Sequence, residues 1–150
     1  MATIEKELAM AFKSEHQKLI LNLLFTSNWL KHLDMERLKP YGLSSQQYNI
    51  LRILRGAKGK KMCMREVLAR MLDRAPNATR LTNKLIAKGL VERDRSEEDR
   101  RVVHLLISDK GMTLLHSIDR LTEDEFATVA RKLTAAEANA VNRGLDKLRS

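Results

Sequence analysis

The 150-residue chain has one cysteine, two prolines and six glycines. With Cys63 alone there is no intramolecular disulfide framework and no thiolate cluster for zinc, which fits a reducing cytoplasm. The four histidines and Cys63 show no paired metal-ligand spacing, so no metal is expected. Phosphate loops, His-Glu-x-x-His, the nucleophile elbow and paired carboxylates in an apolar setting are all missing, which argues against an enzyme and against a cofactor. A membrane helix needs about 18 to 20 consecutive apolar residues. The longest candidate, Leu19 to Leu30, is interrupted by Asn22, Thr26, Ser27 and Asn28. Near the N-terminus, Glu5, Lys6, Glu7 and Lys13 stand among the apolar positions, where a secretory leader would place a basic region, an apolar stretch and a cleavage site. A soluble, cytoplasmic chain is the expectation.

What is present is a composition of 43% apolar and 31% charged residues, that of one globular domain with a real core. Lys and Arg number 28 against 19 Asp and Glu, and the resulting +9 favours an anionic partner such as nucleic acid. The excess is local. Ser44 to Lys110 holds 16 basic against 8 acidic residues, whereas the flanks hold 12 against 11.

So few helix breakers predict long helices. From about Ile4 to Leu38 the pattern is helical, and between Leu19 and Phe25 every position except Asn22 is apolar. A helix apolar nearly all round must be covered on more than one side. A second copy of the chain, seated on Leu19, Leu23 and Leu24, is the leading candidate cover; burial within the same subunit is the other. Pro40-Tyr41-Gly42 breaks the run. Ser44 with Gln47 three residues on reads as a capping box opening a helix, whose stripe of Tyr48, Leu51 and Leu54 runs to Gly56. After a basic connection, Val67, Leu68, Met71 and Leu72 predict a short one-faced helix over Met64 to Leu72. A further helix is expected from Pro76, suited to the first helical position, to a stop near Gly89.

Two short helices joined by about three residues form the helix-turn-helix pattern. Stepping about 100° per residue along the second places Ala78, Leu81, Leu85 and Ile86 on one side, with Thr82 among them. The opposite arc carries Asn77, Arg80, Asn83, Lys84 and Lys88. Guanidinium and amide groups are the types that read base edges in a major groove, Arg bidentate to guanine and Asn bidentate to adenine. Two β-prone runs follow, Leu90 to Asp94 and Arg101 to Ile107, around a charged tip running from Arg95 to Arg100. Val103, Leu105 and Ile107 alternate onto one face, as a half-buried two-stranded hairpin requires. A helix-turn-helix followed at once by a charged hairpin is a winged helix. Helical periodicity resumes after Ser108 to about Lys132, and a last helix capped by Thr134 with Glu137 runs to Leu148.

The ordered set Leu43-Ser44-Ser45-Gln46-Gln47-Tyr48, Thr79-Arg80-Leu81, Lys88-Gly89-Leu90-Val91-Glu92-Arg93, Asp99-Arg100-Arg101 and Leu106-Ile107-Ser108-Asp109-Lys110-Gly111 resembles the MarR family of bacterial transcription regulators. The resemblance covers about Leu43 to Leu115 closely and the flanks by length and pattern. It implies a mainly α fold, a winged helix-turn-helix with a two-stranded β-wing and long N- and C-terminal dimerisation helices. Residues 1–43 would form the N-terminal dimerisation helix, 44–110 the DNA-binding region and 111–150 the C-terminal dimerisation helices, in one integrated domain. It implies a homodimer on a palindromic operator in double-stranded DNA, usually a repressor and often released by a small-molecule effector or an oxidant, and nucleoid-associated when bound.

By the same resemblance Thr79 and Arg80 match the recognition-helix Thr-Arg pair, with Asn77, Asn83 and Lys84 on the same arc or its edge. Asp99 and Arg101 match a wing pair in which the carboxylate holds an arginine for the minor groove, where a narrow A·T-rich groove attracts it. Arg95 and Arg100 are further candidate DNA contacts of the wing, and Arg65 is a candidate phosphate contact. Pro76-Asn77 and Met64-Arg65 depart from the family's usual Ser- or Thr-rich helix starts, which bears on particular contacts and not on the docking mode. His16, Trp29, His32 and His116 lie in helices from which the family builds its effector cavity, although packing roles suit each. Cys63 is a candidate redox thiol beside Lys60 and Lys61, against the ordinary reading of a small apolar packing residue. A sequence-indifferent architectural DNA binder is the competing function, since it needs the basic surface without the Asn and Thr on the recognition face.

Overall fold

The structure, a computed structural model, describes residues 3–73, 77–95 and 103–150, except for the side chains of Arg95 and Glu125. Its elements run α1 (Ile4–Leu8), α2 (Glu15–Leu38), a 3-10 turn (Lys39–Tyr41), α3 (Ser45–Gly56), β1 (Met62–Cys63), α4 (Met64–Arg70), α5 (Ala78–Ala87), β2 (Val91–Arg95), β3 (Val103–Ile107), α6 (Asp109–Lys132) and α7 (Ala135–Leu148). The expected mainly helical winged fold is present, with three differences.

First, the N-terminal run is two helices. Ala9 turns into the left-handed region with φ +50, and Ser14 then starts α2 by accepting the Gln17 N–H at 3.2 Å. Second, the wing sheet has three strands in the order β1-β3-β2, not two. Met62 and Cys63 pair antiparallel with Leu105 and His104. Two residues are too few to show an alternation, and the strand exists because β3 offers its second edge. Third, Leu72 does not join the apolar stripe of α4. The chain leaves the helix at Met71, whose backbone is extended, and Leu72 ends 94% exposed while Val67 and Met71 are buried.

The helix starts follow local chemistry. Ser44 accepts the Gln47 N–H at 3.2 Å while Gln47 Oε1 accepts the Ser44 N–H at 3.1 Å, closing the expected capping box. Thr134 and Glu137 close another on α7, where the Thr134 hydroxyl and N–H hold the Glu137 carboxyl below the usual range. Satisfying these orphan N–H groups contributes about 1 kcal/mol per helix.

The core gathers around α3. Ile50 and Leu51 are fully buried, with Val67 of α4, Leu85 of α5, Leu105 of β3 and Leu115 and Ile118 of α6 in the same cluster. Leu38, the last residue of α2, is the only buried residue of that 24-residue helix. The join between α2, α3 and α6 is polar. Arg37 Nη1 donates to Thr122 Oγ1 at 2.7 Å, Tyr48 OH lies 3.1 Å from the same oxygen, and the Arg37 guanidinium sits 5.2 Å from the Tyr48 ring centre. One turn away, Arg55 Nη1 reaches both oxygens of Asp119 at 2.8 and 3.0 Å.

That contact with Arg55 holds the Asp119 carboxyl below its ordinary range. Because the folded-state pKa is the lower one, the pair stabilises the fold at neutral pH, and the contribution is lost as pH falls through the lowered value. Asp119→Asn should therefore melt below wild type at pH 7, and the two melting temperatures should converge as the pH falls below the ordinary aspartate range. Parallel melting curves across that range would remove Asp119 from the acid response.

Candidate nucleic-acid interface

Helix α5 is amphipathic with the division its sequence predicts. Ala78, Leu81, Thr82 and Leu85 are buried, and Thr82 is only 1% exposed. Asn77, Thr79, Arg80, Asn83, Lys84 and Lys88 are exposed. The helix begins at Ala78 with Asn77 as its cap residue; Pro76, expected to open it, lies outside the described residues. Because the Asn77 side chain makes no cap bond, its amide is not consumed by the helix end.

The C-terminal end of α5 aims the wing. Gly89 takes φ +69, its N–H reaches Ile86 O at 2.9 Å, and the Leu90 N–H reaches Leu85 O at 3.0 Å. This is a Schellman closure, with buried Leu85 and Leu90 as its apolar partners. A side chain other than glycine's would meet the left-handed penalty there. The turn feeds directly into β2, which pairs with β3 in the register Val91↔Ile107 through Arg95↔Val103. Ser108 locks the far side. Its Oγ donates to Gly89 O at 2.6 Å, and its N–H donates to Leu90 O at 3.1 Å. Helix α5 and the wing are therefore one rigid unit joined by the three-residue turn Lys88-Gly89-Leu90.

Arg95, expected in the wing tip, is instead the last residue of β2. Asp99, Arg100 and Arg101 lie outside the described residues. Arg65 is exposed on the first turn of α4. Cys63, partly buried, is both a strand residue and the cap position of α4, where its N–H donates to Glu66 Oε2 at 2.7 Å. Hydrogen bonding to Cys63 holds the Glu66 carboxyl below the usual range. The Cys-x-x-Glu spacing is a capping box with an unusual first residue, which is why composition alone did not mark it.

Two side-chain pairings were not visible in the sequence. Arg93 Nη2 donates to Asn83 Oδ1 at 2.6 Å, tying β2 to α5. Lys61 pairs with Asp94 across β3, tying the connection before β1 to β2. Both join residues on different elements, so neither helical nor strand periodicity reports them.

The predicted interface residues are on the surface. Leu19 and Leu24 are at least half exposed and Leu23 is partly buried. His16, Trp29, His32 and His116 are exposed on α2 and α6. Two open recesses flank the C-terminal end of α5, one beside Gly42, Ser44 and Lys84, the other beside Leu90, Lys110 and Leu114, and none of those four residues lines either. Among the described residues no group of three or more His, Cys, Asp or Glu is placed to hold a metal, and no helix is long and apolar enough to cross a membrane.

The family of transcriptional regulators SarA/Rot matches this chain over residues 32–118. The transcriptional repressor MprA of Escherichia coli K12 is 28% identical over 81 residues, which are 54% of this chain and 46% of that protein. The chain thus spans about half the length of the curated relatives it matches. A MarR transcription factor from Planctomyces limnophilus is 32% identical, with 91% of this chain and 98% of that one aligned at a TM-score of 0.69. The structure of S. aureus MepR in complex with DNA aligns at a TM-score of 0.78 over 92% of this chain and 97% of that one, and at 17% identity the likeness is one of fold.

Proposed function

Since the chain belongs to the SarA/Rot family of transcriptional regulators, of the MarR winged-helix type, we propose that it binds double-stranded DNA sequence-specifically as a homodimer and represses transcription from a palindromic operator. The observation that carries this reading is α5. One of its faces is sealed into the core, while the other exposes Asn77, Thr79, Arg80, Asn83 and Lys84, with Arg93 of β2 bonded to Asn83. Docked in a major groove, that face presents guanidinium and amide groups to base edges, and the rigid turn at Gly89 carries the wing toward the flanking backbone. Asp99, Arg100 and Arg101 complete the proposal at the wing tip, and Arg65 contacts phosphate.

The dimer reading is supported by α2, whose apolar residues are left about half exposed within the subunit, and by α7, which buries none of its residues. A small-molecule effector held among His16, Trp29, His32 and His116 would act on the same helices. Cys63 is given a structural role at the start of α4 in this reading.

Selecting bound fragments from genomic DNA tests the function. A regulator should prefer its recovered site to bulk DNA by at least about 10³-fold. An architectural binder would retain every fragment alike. On the recovered site, Arg80→Ala should weaken binding by about 1–3 kcal/mol and relax preference at the base pair it contacts. Unchanged affinity would remove α5 from the groove.

A further inference from the structure

The Asn83 amide is held in one orientation. Its Oδ1 sits 2.6 Å from the Arg93 guanidinium, and a guanidinium only donates, so the oxygen must face the wing strand and Nδ2 must face away from it. From this we propose that Arg93 is a positioning residue that makes Asn83 a donor-only reader, selecting guanine over adenine at the base pair beneath it. The inference rests on the proposed entry of α5 into the major groove and sharpens what α5 reads there.

A bidentate adenine contact needs both halves of the amide in the groove, the oxygen accepting from N6–H and the nitrogen donating to N7. With the oxygen held by Arg93, the Nδ2 donors would meet the N6 amino group donor to donor. Guanine offers N7 and O6, two acceptors on the same edge. The positive charge on Arg93 also polarises the amide and strengthens its N–H donors.

The fold keeps the two side chains together. Asn83 lies two residues before Leu85, where the Schellman closure begins, and Arg93 lies three residues beyond Leu90 on β2, opposite Leu105 in the sheet. Adjacent Asp94 is paired with Lys61, which braces β2 from the opposite edge of the sheet. Neither residue has to move for the contact to persist on docking.

Base-substitution panels built on the selected operator, read by fluorescence anisotropy, test the proposal with wild type, Arg93→Ala, Asn83→Ala and the double variant. Wild type should prefer guanine to adenine at one position of each half-site by about tenfold. Arg93→Ala should abolish or reverse that preference and leave the other positions unchanged. Asn83→Ala should lose it at the same position, and adding Arg93→Ala to that background should shift no preference further.

Asn83→Asp keeps an acceptor for Arg93 but has no N–H donor. It should also lose the guanine preference, and it decides the matter if Arg93→Ala fails to fold. An Arg93→Ala protein that binds every sequence more weakly by the same factor, with its guanine preference intact and a shallower salt dependence, would make Arg93 a phosphate contact and overturn the inference. In that case the reading of α5 would stand. A wild-type protein with no preference for any fragment over bulk DNA would overturn both.

Discussion

Ile20→Glu/Leu24→Glu should convert the protein to a monomer of about 17 kDa by light scattering and weaken operator binding by about 10²–10⁴-fold. The two residues lie four apart on one face of α2 and are 53% and 56% exposed, so glutamates there disturb little inside a single subunit. In the proposed dimer they are costly. Covering the exposed half of each apolar side chain contributes roughly 1 kcal/mol, and the substitution loses this in both copies. Burying unpaired carboxylates adds several kcal/mol more. The loss of affinity comes without any change at α5, because joining two half-site readers makes the second contact intramolecular. Wing and recognition helix should keep their fold, since the core around α3 contains no residue of α2 except Leu38. A double variant that remains dimeric and binds its operator as wild type does would remove α2 from the interface.

How legible the fold was depended on whether the deciding interaction was local. The starts of α3, α6 and α7 were readable because Ser44, Ser108 and Thr134 cap their own next turn. The buried face of α5 was readable because rotation by about 100° per residue sorts Ala78, Leu81, Thr82 and Leu85 onto one side before any packing is known. The break at Ala9 was not, since alanine carries no left-handed signal and Ser14 falls within what looks like continuous helical periodicity. Strand β1 escaped notice because its existence depends on β3, some forty residues away in sequence. The exposed arc of α5 was likewise legible as a set of side chains but not as a set of donors and acceptors. A helical wheel shows Asn83 as a free amide, whereas Arg93 decides which half of it faces out.

Gly111→Ala should destabilise the protein by about 3 kcal/mol, against the sign that helix propensity alone would give. Gly111 lies in the first turn of α6, where replacing glycine by alanine gains up to about 1 kcal/mol when nothing else intervenes. Here an added Cβ would stand 2.3 Å from the Leu90 carbonyl oxygen and 2.8 Å from Ile107 Cγ1. The first of these neighbours is backbone, and that oxygen already accepts the Ser108 N–H at 3.1 Å, so it cannot retreat without opening the turn between α5 and β2. The same shift would pull Ser108 Oγ from Gly89 O and from the Gly111 N–H, now 2.6 and 3.0 Å away. At about 3 °C per kcal/mol for a chain of this size, the melting temperature should fall by roughly 10 °C. Gly56→Ala supplies the contrast. That glycine ends α3 with nothing within 4 Å of an added Cβ, so its replacement should leave stability unchanged or raise it. Because the displaced turn carries the wing relative to α5, Gly111→Ala should also weaken operator binding at temperatures where the protein remains folded. A variant as stable as wild type would mean that α6 can move away from Leu90 without cost, and wing and α5 would then not form the single rigid unit that the proposed DNA docking requires.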